Sequence, residues 1–225
     1  MQLNKHLKGI TDVEKWIQIR PPKKEVLQWR DGRSAKEFAK YLTGAYPSVP
    51  MELEAALTAI IAKDTRFNWD AEYVTELPGK GEGRNHDGIL YNDDIVVTIE
   101  AKADETLGNL IEEEMKDASV NKLNRIAQLL NLIFKGNFKK YQKLRYQLLT
   151  ASAGTILEAK KRNLDTAVLF VLVFKTTGDV EEVKLASNHQ DVLSFLEAAN
   201  AYDEKGLKVI PNNTGIKLYF KEIVV

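Results

Sequence analysis

Apolar positions recur at helical spacing near the start of the chain, crowd into short strand-like runs in its middle, and return to helical spacing on either side of one further apolar run. In SAKEFAKYLTG, Ser34 and Glu37 have the spacing of a capping box and Gly44 closes the pattern, which predicts a short helix. PSVP then interrupts the chain. MELEAALTAIIAKD follows with Leu53, Leu57, Ile60 and Ile61 on one stripe. On a helical wheel Glu54 lies about 70° from the centre of that stripe and Glu52 about 130°, so Glu54 is the acid nearer the buried face.

Three strand-like runs come next. AEYVTEL ends at the turn signal PGKGEG, NHDGILY ends at NDD, and IVVTIEAK ends before another acidic cluster, which reads as an antiparallel meander. From Leu107 the helical period returns, with Leu110, Ile111, Met115, Leu123, Ile126, Leu130, Ile133 and Phe134 marking one long helix or two shorter ones. YQKLRYQLLTASAGTILEAKKRN carries Leu144, Leu148, Ala151, Thr155 and Ala159 on one face. AVLFVLVF, Ala167 to Phe174, is continuously apolar, as a central strand covered on both sides should be. HQDVLSFLEAANAY predicts a helix and GIKLYFKEIVV a strand. No internal repeat or low-complexity segment is present. The expected architecture is a single α/β domain over residues 1–225, with a mixed central sheet flanked by helices.

Composition narrows the chemistry. At 44% hydrophobic and 28% charged residues, the chain has the make-up of an ordinary folded domain. Absence of cysteine excludes a disulfide framework, a thiolate nucleophile and a zinc–thiolate site, and three scattered histidines, His6, His86 and His189, argue against a histidine metal site. The first thirty residues lack the apolar core of a signal peptide and no segment reaches the length of a membrane span, so a cytoplasmic protein is expected. The formal net charge is zero, but residues 118–162 carry ten cations against the single acid Glu158. That segregation permits a basic face on a neutral molecule, because fields act locally within a screening length of about 8–10 Å.

Candidate chemistry concentrates in HDGILYNDDIVVTIEAK. Alternation along the last strand points Glu100 and Lys102 one way and Ile95, Val97, Ile99 and Ala101 the other. The same rule groups Asp87 with Ile89 and Tyr91, and turns His86 away as a structural residue. A hairpin about NDD brings Asp87 back beside Glu100. Two carboxylates at one spot repel each other, and a hard divalent cation, Mg²⁺ or Mn²⁺, relieves that repulsion while taking oxygen ligands such as the backbone carbonyl of Ala101. Lys102 is then placed to orient water and offset charge on a phosphate.

HDG followed by IEAK on the next strand resembles the paired signature of the PD-(D/E)xK, or restriction-endonuclease-like, superfamily. The resemblance spans about residues 51–174, leaving a helical extension over 1–50 and a helix and strand over 175–225. It implies a core of helix, three-stranded meander, helix and strand, and a metal-dependent nuclease, with DNA the expected substrate. Asp87 matches the Asp of the signature, Glu100 its Glu and Lys102 its Lys, and Glu54 fits the acid that many members supply from the helix before the meander. RYQLL offers Arg145, Tyr146 and Gln147 for the Gln or Tyr motif many members carry on the following helix. His86 stands where the proline of the signature would be.

Glu-x-Lys alone is weak, occurring here at Glu100, Glu114, Glu158 and Glu182, but only Glu100 has an apolar strand and an upstream Asp. KGNFKKYQKLRY intersperses Phe138, Tyr141 and Tyr146 with Lys139, Lys140, Lys143 and Arg145, a mixture suited to phosphate contacts and base stacking or to an ordinary solvated loop. The main alternative is an inactive nucleic-acid-binding or protein-interaction module of the same fold. A sugar hydrolase built on two carboxylates would have no role for the lysine.

Overall fold

The computed structural model describes residues 1–22, 28–136, 138–175 and 179–225, with the side chains of 179–182 also outside the description. Among the described residues eight strands form one mixed sheet in the order β1-β2-β3-β4-β5-β8-β7-β6. They are β1 (Gln2–Leu3), β2 (Arg66–Thr75), β3 (Arg84–Tyr91), β4 (Val96–Lys102), β5 (Thr166–Val173), β6 (Tyr202–Glu204), β7 (Leu207–Ile210) and β8 (Lys217–Val224). The meander β2-β3-β4 is antiparallel, β5 runs parallel to β4, and β8 runs parallel to β5.

Seven helices flank the sheet among the described residues: α1 (Val13–Ile19), α2 (Ser34–Ala45), α3 (Met51–Leu57), α4 (Ile111–Met115), α5 (Val120–Ile133), α6 (Tyr146–Lys161) and α7 (Asp179–Ala198). Their apolar stripes settle on two faces. Trp16 of α1, Phe38 and Leu42 of α2 and Leu53 and Leu57 of α3 pack on Val97, Ile99, Phe170 and Leu172. Ile126 and Leu130 of α5, Leu148 and Ile156 of α6 and Phe195 of α7 pack on Ile89, Leu169, Val171 and Phe220. Strand β5 therefore buries alternate residues in opposite cores, which is why its sequence is continuously apolar.

Element order through the middle of the chain matches the periodicity. The differences lie at the ends. The sequence predicts nothing as early as α1, which forms with Asp12 as its cap accepting from the Lys15 amide. The hairpin β6-β7 is also unanticipated, its strands being too short for a clear alternation. The capping box expected at Ser34 and Glu37 does not form. Arg33 occupies the cap position, Glu37 accepts from the Gly32 amide, and the Ser34 hydroxyl is committed to a tertiary contact.

Candidate active site

Strands β3 and β4 pair from Tyr91↔Val96 to Gly88↔Ile99, and there the ladder stops. Asp87 Oδ2 accepts the Ala101 amide N–H at 2.7 Å, so a side chain ties off the strand pair where it splays. Opposite Asp87 on β2, Glu72 has a left-handed φ of 48° and pairs with nothing in the ladder, which resumes on either side at Ala71↔Gly88 and Tyr73↔His86. A non-glycine residue in that region costs about 1 kcal/mol or more, held by the rungs around it.

This irregularity shifts the phase of β3. A Cβ placed on Gly88 would lie 2.6 Å from Phe38 Cζ of α2, whereas His86 abuts Gly154 of α6. Ile89 also packs on the α6 face, so strict alternation fails between His86 and Ile89. Asp87 lines a cavity of about 120 Å³ with Ser34, Ala35, Glu72, Asn85 and Glu105, on the α2 side. The grouping of Asp87 with Ile89 is corrected accordingly, while His86 does face away from Asp87: it lies on the α6 side, where its Nδ1 is 3.6 Å from Glu100 Oε1, too long for a hydrogen bond, and neither ring nitrogen has a partner.

Glu100 is 1% exposed at the end of β4. Arg84 Nε donates to its Oε1 at 3.1 Å and Arg84 Nη2 contacts Oε2, while Gln147 Nε2 of α6 donates to Oε2 at 3.0 Å. Lys102, 4% exposed, has Glu105 Oε1 at 3.5 Å as its carboxylate neighbour. Just beyond it, the Ala103 amide donates to the Ser34 hydroxyl at 3.0 Å, and that hydroxyl donates to Glu105 at 2.9 Å. The first turn of α2 thus pins the backbone that carries Lys102.

Charge in this region is unequally shared. Burial works to raise Glu100, but the Arg84 guanidinium foremost, with Lys102, draws it down to about 2. Asp87 moves the other way: burial, reinforced by the charge on Glu100, pushes it up to about 8 although Lys102 opposes. Burial likewise raises Glu72 to about 7, with Glu100 adding to the effect. His86 is kept below its ordinary range by burial and is neutral. Two of three neighbouring carboxyls therefore lack enough cationic charge to ionise readily.

The structure joins Gln147 to Glu100 and Asp87 to the Ala101 amide, and Asp87, on the α2 side, feels the charges of Glu100 and Lys102. It does not bring Glu54 to them, which accepts from the Met1 amino group at 2.5 Å. The basic segment is also dispersed. Tyr141 is buried and stacked on Phe134 with centroids 4.1 Å apart, and Phe138 packs against the same core, so neither ring offers a free face for a base. Arg145 is held by Asp191 and the Gly108 carbonyl, each at 2.7 Å, and Lys143 by Glu112 at 2.6 Å. Tyr146 is half-buried, Lys139 and Lys140 are exposed, and Lys140 Nζ sits 4.7 Å above the Tyr141 ring. Asn137 in this segment lies outside the described residues, as does the side chain of Glu182. Of the other Glu-x-Lys positions, Glu114 and Glu158 are on helices.

Arg84 and Glu72 are the participants that the sequence did not single out, and Ser34 was read only as a helix cap. Arg84 had a visible signal, standing at the start of the strand that bears Asp87. Among the described residues, no three His, Asp or Glu side chains converge as a ready-made metal-ligand set, and no helix is long and apolar enough to cross a membrane.

Comparison with curated proteins and with solved structures gives no match. One family model matches residues 9–224, nearly the whole chain, and the protein therefore belongs to the family described as a domain of unknown function, DUF6946.

Proposed function

We propose that this protein is a metal-dependent nuclease of restriction-endonuclease-like fold, hydrolysing phosphodiester bonds with DNA as the expected substrate. The observation that carries the proposal is the splayed end of β3 and β4, where Asp87, Glu100 and Lys102 gather and Gln147 of α6 grips Glu100. The order helix, meander, helices and parallel strand supports the same reading.

The donor set suits a hard divalent cation. It is made of oxygens, its Asp87 and Glu72 carboxyls are held towards their neutral forms by burial and nearby negative charge, and a guanidinium already stands in as a cation at Glu100. Asp87, Glu100 and the Ala101 carbonyl would hold the ion. When bound, Mg²⁺ or Mn²⁺ would polarise the phosphodiester and favour ionisation of the attacking water.

The protein supplies the rest. Lys102, nearly dry and anchored through Ser34, orients the water and offsets negative charge as the phosphate is attacked. Gln147 keeps the Glu100 carboxylate in one orientation, and the Ala101 amide does so for Asp87.

Purified protein incubated with single- and double-stranded DNA should cleave with Mn²⁺ and not with EDTA, and Asp87→Ala or Lys102→Ala should lose roughly a hundredfold or more in rate. Cleavage that survives both substitutions would end this reading. The tight Arg84–Glu100 pairing favours a second reading, a binding module whose charges only neutralise one another. It requires that no Mn²⁺ site be lost on Glu100→Gln.

A further inference from the structure

We propose that Arg84 couples nucleic-acid binding to metal binding: it is an internal cation that holds Glu100 until a phosphodiester takes its guanidinium. The inference rests on the nuclease reading and extends it.

Four observations lead here. Both carboxylate oxygens of Glu100 are occupied, Oε1 by Arg84 Nε and Oε2 by Arg84 Nη2 and Gln147 Nε2, so a metal ion at Glu100 must displace Arg84 or share with it. The Arg84 side chain is 17% exposed and that of Glu100 1%, so an arriving anion meets the guanidinium before the carboxylate. Arg84 is the first residue of β3, beside the turn, whereas Glu100 lies within a buried strand. Its backbone neighbourhood is anchored from α5, where Arg125 donates to the Pro78 carbonyl at 3.1 Å and to the Glu82 carbonyl at 2.7 Å. The turn that precedes Arg84 is thus held in place from α5, independently of the partner its guanidinium takes.

A guanidinium binds phosphate with the same two-pronged geometry it uses on a carboxylate. Transfer of Arg84 from Glu100 to a phosphodiester exposes Glu100 to the metal ion, and metal at Glu100 frees Arg84 for the phosphodiester. Linkage requires that each ligand raise the affinity of the other by the same factor.

The test is an electron paramagnetic resonance titration of the full chain with Mn²⁺, with and without a saturating phosphorothioate oligonucleotide. Wild type should bind Mn²⁺ about tenfold more tightly with the oligonucleotide, within the usual span of such couplings. Arg84→Gln should bind Mn²⁺ about tenfold more tightly than wild type without it and gain nothing from its addition. Arg84→Lys, which keeps the charge but not the fork, should show several-fold tighter Mn²⁺ binding and partial coupling, and decides the matter if Arg84→Gln does not fold. Unchanged or weaker Mn²⁺ binding in these variants, with a wild-type site abolished by Glu100→Gln, overturns the role of Arg84 and leaves the nuclease reading standing. Absence of any Mn²⁺ site sensitive to Glu100→Gln overturns both.

Discussion

Asp87 is the residue on which local charge turns. Its carboxyl is pushed up to about 8 from the ordinary 3.8, because it is partly buried and feels the negative charge of Glu100. Folding therefore takes up a proton at Asp87 between those values, so the contribution of this group to stability is full below about pH 4 and is lost as pH rises to about 8. Glu100 acts oppositely: held at about 2, it contributes above its ordinary value of 4.5 and loses that contribution as pH falls towards 2. In EDTA, urea denaturation between pH 5 and 8 should show the wild type losing stability relative to Asp87→Asn, by at most about 1.4 kcal/mol per pH unit. A constant difference across that range would show Asp87 already ionised. Sequence alone assigned Glu100 and Lys102 a shared direction because strand alternation is local, but it misgrouped Asp87 with Ile89 because it could not register the left-handed Glu72 opposite Asp87, where the alternation breaks.

At the scale of elements, the contact between α6 and β3 holds the site together. Gln147 reaches Glu100 from the first turn of α6, and two turns on Gly154 lets the helix approach His86. A Cβ at Gly154 would lie 2.8 Å from His86 Nε2, and the ring is fully buried. Replacing Gly by Ala within a helix contributes up to about 1 kcal/mol, while overpacking a rigid contact costs about 1–3 kcal/mol. Gly154→Ala should therefore destabilise the protein, read as a lower urea midpoint with unchanged slope. A higher midpoint would show that His86 has room to move. The helical pattern of α6 was readable in its apolar stripe, whereas the need for glycine on its other flank arises only from β3.

Across the whole molecule, β4 and β5 belong to both cores, the α1–α3 face and the α5–α7 face. Neither face can lose its helices without exposing apolar residues of the shared strands. All three tryptophans, Trp16, Trp29 and Trp69, lie in or against the α1–α3 core. Fluorescence should therefore report that face, and far-ultraviolet circular dichroism the whole molecule. The two should give one coincident unfolding transition. A tryptophan transition at lower denaturant would show the first face to be an independent unit. The charge segregation in residues 118–162 was readable from composition, yet its cations are spread over ion pairs, exposed sites and carbonyl contacts, and its tyrosines are drawn into the core because apolar burial outweighs any free aromatic face.

Hydrophobic periodicity by itself determined the element order from α2 to β5, the α/β class, the doubly covered β5 and the shared direction of Glu100 and Lys102. Each of these depends on neighbours a few residues apart, where side-chain direction follows from backbone geometry. Tertiary structure alone decided that Ser34 leaves its cap to secure Lys102, that Glu54 stays away, and that Arg84 closes on Glu100. Those outcomes depend on which distant segments meet, and on how buried charges find counter-ions once water is excluded.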